Sequence, residues 1–207
     1  MTVHFLATPR LRAASMLLAC IATLTGHALG QNLVVNGGFE QGPSMRGPFD
    51  PYAGGSTAIP GWTVTGSSVD YVGTFWTPAS GLRSIDLNGT PVGMGGVLQS
   101  ITTVPGASYS VQFSLAVFHV TPPFGKTMRV RADAQHSPTF TVDQPGRPPG
   151  AMNWTVRGWQ FTAADAMTEL EFYSTTEQSI DGPALDDVSV VACVGGVTPP
   201  DRRRLPR

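Results

Sequence analysis

Apolar and polar positions alternate with a period of two along most of this 207-residue chain, the spacing of strands that bury one face. In SYSVQFSLAVF (108–118), Val111, Phe113, Leu115 and Val117 share a face. In TELEFYS (168–174), Leu170, Phe172 and Ser174 face away from Glu169, Glu171 and Tyr173. Similar runs predict strands at 32–35, 61–65, 69–72, 84–87, 96–103, 108–120, 127–134, 139–143, 154–163, 169–174 and 184–192. No segment carries a helical period, and the best helical candidate is a turn around 163–167. The chain's 24 glycines and 18 prolines are spread between these runs. Short strands with regular turn signals predict an all-β sandwich with little or no helix outside the leader. VPGASY (104–109) carries the Pro-Gly pair of a type II turn and predicts a hairpin between the flanking strands. Segments 42–60, 119–126 and 144–153 read as long loops rich in Gly and Pro.

The closing strand GPALDDVSV (182–190) breaks the pattern with two adjacent acids. Strict alternation puts Asp186 on the face of Ala184, Val188 and Val190, so it enters the core with the valines, while Asp187 is solvated. A buried carboxylate is costly unless it is paired, hydrogen-bonded or bound to a metal. Glu40, in NLVVNGGFEQG (32–42), is a candidate second acid, since a hard cation such as Ca²⁺ prefers oxygen ligands. The alternative is that Asp186 answers backbone amides or an arginine.

Composition narrows the setting. Arg10 and Arg12, an apolar run from Ala13 to about Leu24, and small residues at Ala28 and Gly30 have the layout of a secretory signal over 1–30. LLAC at 17–20 is a weaker match to a lipoprotein signal, and the run is short for a membrane span. Removal leaves 177 residues and one cysteine, Cys193, so the fold must stand without an internal disulfide. The remaining 14 acids and 11 bases give a net charge of −3, and four of those bases are arginines in the last six residues. The tail 194–207 lacks the apolar content to fold, which leaves one domain over 31–193. Its single lysine, Lys126, and the absence of a basic patch argue against nucleic-acid binding.

Five blocks occur in order: NLVVNGGFEQGP, IPGWTVTGSSVDYVGTFW, GLRSIDLNG, VLQSITTVPGASYSVQFSLA and GPALDDVSV. Over residues 32–192 the chain resembles the choice-of-anchor C family of bacterial surface and secreted proteins. That family is similar to a domain of unknown function in plant cell-wall proteins. The resemblance implies a galactose-binding-like jelly roll, the sandwich of many carbohydrate-binding modules. In such modules a structural Ca²⁺ often joins the first and last strands, and its ligands resemble Glu40 and Asp186 here. Two departures stand out: VFHVTPPFG replaces the family's usual residues after the long strand, and no C-terminal anchor is recognisable.

The chemistry expected is binding without catalysis. The mature chain has two histidines, His119 and His136, neither in a metal-ligand spacing, and no GxSxG elbow. Asp70 and Asp86 are an acid pair that any chain of this size could offer. Sugar sites use aromatic faces with a few carboxylates or amides nearby. Candidates are Trp76, in the loop GTFWTP, with Tyr71, Tyr52 and Trp62, although Trp62 and Tyr71 also have core-like positions. Trp154 and Trp159 lie on opposite faces of one strand. The expectation is a secreted, monomeric, calcium-stabilised module binding extracellular or cell-wall polysaccharide. The alternative is a structural or adhesive surface protein with no sugar site.

Overall fold

The computed structural model describes residues 30–91, 93–118, 122–143 and 152–193. The expected leader up to residue 29, the expected tail and His119 therefore lie outside the described residues. Among the described residues, twelve strands follow in chain order. They are β1 (Phe49–Ala53), β2 (Thr63–Gly66), β3 (Ser68–Val72), β4 (Ser84–Asp86), β5 (Gly95–Thr102) and β6 (Ser108–Val117), then β7 (Lys126–Ala132), β8 (Gln135–His136), β9 (Phe140–Val142), β10 (Thr155–Thr162), β11 (Met167–Ser174) and β12 (Pro183–Ala192). One sheet has the order β1-β3-β4-β12-β6-β10, the other β2-β5-β11-β7-β8, with β9 also on β7. Every strand pair is antiparallel. No helix occurs among the described residues, as the missing 3.6-residue period predicts.

The alternating runs behave as read. Val111, Phe113, Leu115 and Val117 of β6 and Leu170 and Phe172 of β11 meet between the sheets. Val69, Tyr71, Ile85, Leu185 and Val190 join them from the first sheet. The Pro-Gly turn forms: Gly106 has φ +79°, and the Ala107 N–H donates to Val104 O. It does not make a hairpin, however. β5 and β6 belong to different sheets, so the turn carries the chain across the sandwich.

Besides the short β8, which falls between two predicted strands, two strand assignments change. Residues 32–35 are not a strand. Asn36 and Phe39 have φ of +54° and +59°, which bends the chain away from extended pairing. Gln99 stands in for the missing neighbour, accepting from the Val35 N–H at 2.7 Å and donating to its carbonyl at 2.9 Å. Conversely, β1 lies inside the segment read as loop 42–60. It is an edge strand, and an edge tolerates the Pro51 that spoils its sequence pattern.

Asp186 is fully buried, but not in the core beside the valines. Asp186 pairs with Ser114 and Ser189 with Gln112, so β12 carries one extra residue in a bulge. Asp187 sits at the bulge with φ +49°. The insertion reverses the parity: Val188 and Val190 point between the sheets, while Asp186 shares the outer face with Ala184 and Ser114.

Candidate functional site

The outer face of the first sheet is lined with small and acidic side chains. β3 presents Asp70 and Val72 there, β4 Ser84 and Asp86, β6 Ala116, and β12 Ala184. Each alternates with a core residue, so period two both fills the core and builds this second surface. An aromatic group covers one end: Phe49, Phe118 and Trp154 pack with Trp76, Val72, Ala116, Met152 and Ala184. Phe75 adds ring contacts to Phe49 at 5.2 Å, Trp76 at 5.7 Å and Phe118 at 4.9 Å. The Trp76 Nε1–H donates to Ser84 Oγ at 2.8 Å, and the Trp154 Nε1–H to Thr77 O at 2.9 Å. These bonds fix the two indoles on the sheet.

A pocket of about 110 Å³ opens between these rings and the acids. Phe49, Val72, Phe75, Trp76, Phe118 and Ile180 form its apolar wall, and Asp70, Asp86, Thr90 and Asp181 its polar wall. Asp70 and Asp86 are direct cross-strand partners. The Asp70 carboxylate accepts from the Thr90 N–H and hydroxyl, both at 3.0 Å. Asp86 Oδ1 accepts the N–H of Asn88 at 2.9 Å and of Gly182 at 2.8 Å. Burial pushes the Asp70 carboxyl above its ordinary range against the pull of the Thr90 bonds. Burial also pushes Asp86 well up, and the charges of Asp70 and Asp181 add to the push. Asp181 lies 3.2 Å from Nζ of the fully buried Lys126, a charge contact rather than a hydrogen bond. That ammonium donates to Ser179 Oγ at 2.6 Å.

The four aromatic candidates do not come together. Trp76 is in the pocket wall, only 7% exposed, so it is a buried flank rather than an open platform. Its neighbour Phe75, 43% exposed, presents the open ring. Trp62 and Tyr71 are buried between the sheets, where the Trp62 Nε1–H donates to Asn36 O and the Tyr71 hydroxyl to Phe39 O. Tyr52 packs against Tyr71 at 6.2 Å, away from the pocket. Trp154 and Trp159 do take opposite sides of the sheet. Sequence reasoning paired Phe75 with Trp76 but missed Phe49, Phe118 and Asp181 as members of the same site. The signal for Asp70 and Asp86 was present: VDYV and SID place both acids opposite core residues.

Glu40 and Asp186 meet the same segment, residues 79–83, by a different chemistry. Asp186 Oδ2 accepts the N–H of Ala79 at 2.9 Å and Ser80 at 3.2 Å, and Oδ1 that of Asp187 at 2.7 Å. Glu40 Oε1 accepts the N–H of Leu82 at 2.8 Å and Arg83 at 2.9 Å. Gly81, at φ +59°, allows this closeness, since a Cβ there would stand 2.3 Å from Glu40 Oε1. Burial outweighs the amides at Asp186 and raises its carboxyl to about 7. The donor set does not fit calcium. Five N–H groups point at the oxygens a cation would need. Among the described residues no three acidic, His or Cys side chains group to hold a metal.

Comparisons with known proteins bear on this architecture. Residues 32–191 match the family model described as protein of unknown function, DUF642. Halomucin of Haloquadratum walsbyi is 33% identical over 165 residues, covering 77% of this chain. The chain spans only 2% of halomucin's length. Among solved structures, TmCBM61 in complex with β-1,4-galactotriose superposes with a TM-score of 0.53 at 15% identity, covering 78% of this chain and 99% of that one. The CBM22-1 xylan-binding domain from Paenibacillus barcinonensis Xyn10C gives 0.47 at 13% identity, covering 81% and 98%. The fold is thus the expected all-β jelly-roll sandwich, with the architecture seen in TmCBM61.

Proposed function

The chain belongs to the DUF642 family of proteins of unknown function, and from that premise we propose that it is a non-catalytic module binding extracellular polysaccharide in the Phe75–Asp86 pocket. The observation that carries this reading is the joining of an exposed ring to buried carboxylates in one concave site. A pyranose has an apolar C–H face and a rim of hydroxyls. Phe75 and Phe118 suit the first, and Asp70, Asp86 and Thr90 suit the second. Glycosidic cleavage needs two acids on opposite sides of the scissile bond. Asp70 and Asp86 stand side by side on one wall, and Thr90 occupies both oxygens of Asp70. That favours holding a sugar over cutting it.

The family-level kinship extends, in this proposal, to the choice-of-anchor C proteins, with a secreted or surface-held location and a monomeric state. No helix among the described residues is long and apolar enough to cross a membrane. The adhesive alternative draws on Ile180, exposed beside Phe75, because two apolar groups at one rim also suit a protein side chain. Calorimetry of the full chain against soluble polysaccharides tests the choice. Saturable binding that Phe75→Ala weakens about tenfold or more supports the sugar site. Binding that is indifferent to Phe75, or none to any glycan, overturns it.

A further inference from the structure

The pocket's charge is out of balance in a way that sugar hydroxyls do not explain. Three carboxylates line it, and among the described residues no lysine or arginine does. Lys126 answers Asp181 from beneath and is itself bound to Ser179. Asp70 and Asp86 remain face to face across two strands, an arrangement that costs stability when both are charged. Thr90 satisfies Asp70. Asp86 differs: it is 4% exposed, its Oδ1 takes two amide donors, and its Oδ2 takes none. The residue is nearly enclosed, yet this second carboxylate oxygen has no donor from the described residues and is left to whatever fills the cavity it lines. Phe49, Phe75 and Phe118 line the same cavity, and aromatic ring faces attract cations as well as C–H groups.

We propose, building on the carbohydrate-binding reading, that the sugar unit held here carries a free ammonium: a 2-amino-2-deoxyhexose in a de-N-acetylated polysaccharide. The ammonium donates to Asp86 Oδ2, and its charge favours the ionised form of a carboxyl that burial and the neighbouring acids otherwise push up. The pyranose face packs on Phe75. An amino sugar supplies the donor, the charge and the apolar face together. A metal ion would gain nothing from the rings. A quaternary ammonium has no N–H to give Asp86. An N-acetylated sugar brings an amide with no charge to offset.

The test is calorimetric titration of the full chain with a glucosamine hexamer, its N-acetylated counterpart and a cello-hexamer, near pH 6, at low and moderate salt. The glucosamine hexamer binds about tenfold tighter than the other two, as a charge-assisted hydrogen bond provides. Asp86→Asn removes that preference. Its amide oxygen still accepts from Asn88 and Gly182, and a melting curve confirms that it folds. Equal or tighter binding of either neutral hexamer overturns the amino-sugar assignment and leaves the sugar site standing. A glucosamine preference that survives both Asp86→Asn and Asp70→Asn also overturns it, because the charge then acts elsewhere. No binding of any hexamer, nor of any polysaccharide in the wider panel, overturns both readings.

Discussion

Asp186 and Val188 project from opposite faces of the same sheet although two positions separate them, because Asp187 takes up an extra residue at φ +49°. This bulge sets Asp186 under the amides of residues 79 and 80 and returns Val188 to the core. The Val188 N–H then donates to Gly37 O, which ties the 36–40 turn to the last strand.

The left-handed conformation at Asp187 suits Asp or Asn and penalises a β-branched side chain. Asp187→Val therefore costs about 1–2 kcal/mol in chemical denaturation. Asp187→Asn stays close to wild type, because its amide oxygen can still meet the Ser80 hydroxyl. Equal losses for the two would mean that charge, not backbone, matters at this position.

Parity reasoning could find the buried acid at 186 but not its face, since a one-residue bulge leaves no trace in an alternating pattern. β6 and β11 were legible because apolar residues recur at every second position, Val111 to Val117 in one and Leu170 and Phe172 in the other. β1 was not, because Pro51 and its Gly/Pro-rich flanks look like loop and only an edge position makes them a strand. The candidate site divides the same way. Asp70 and Asp86 follow from local alternation. Phe49 and Phe118 reach Trp76 from distant segments, and only the sheet order β1-β3-β4-β12-β6 brings them together.

Asp186 makes stability fall as pH rises. Its carboxyl is raised to about 7 in the folded chain, against an ordinary value of 3.8. Between these values the native state holds a proton that the unfolded chain has released, so stability declines from about pH 4 to pH 7 and then levels. Asp187 faces the same carboxyl and adds to the effect. Asp70 and Asp86, also raised, slope in the same direction. Asp186→Asn should thus reduce the dependence of Tm on pH between 4.5 and 7.5 without abolishing it. An unchanged slope would place the titration elsewhere.

Calcium should be dispensable. Glu40 and Asp186 already satisfy five N–H groups, and a cation at those oxygens would strand the amides. Melting curves with millimolar Ca²⁺ and with chelator should coincide to within about a degree. Glu40→Ala should lower stability by about 1–2 kcal/mol in both conditions, by releasing the Leu82 and Arg83 amides. A calcium-dependent rise in Tm that Glu40→Ala removes would contradict the amide assignment.

Phe75 and Trp76 are adjacent, yet their substitutions should separate binding from folding. Trp76 is 7% exposed, packs on Phe118 at 5.6 Å and donates to Ser84 Oγ. Trp76→Ala removes that packing and leaves Ser84 without its donor, a loss of about 3–5 kcal/mol. Phe75 is 43% exposed and rests on the rim, so Phe75→Ala should cost no more than about 1 kcal/mol. Its effect falls on the ligand instead, with affinity reduced about tenfold or more while the melting curve is nearly preserved. Denaturation and glycan titration of the same two variants check this. A Phe75→Ala chain as unstable as Trp76→Ala would make Phe75 part of the sheet's covering rather than a platform for sugar.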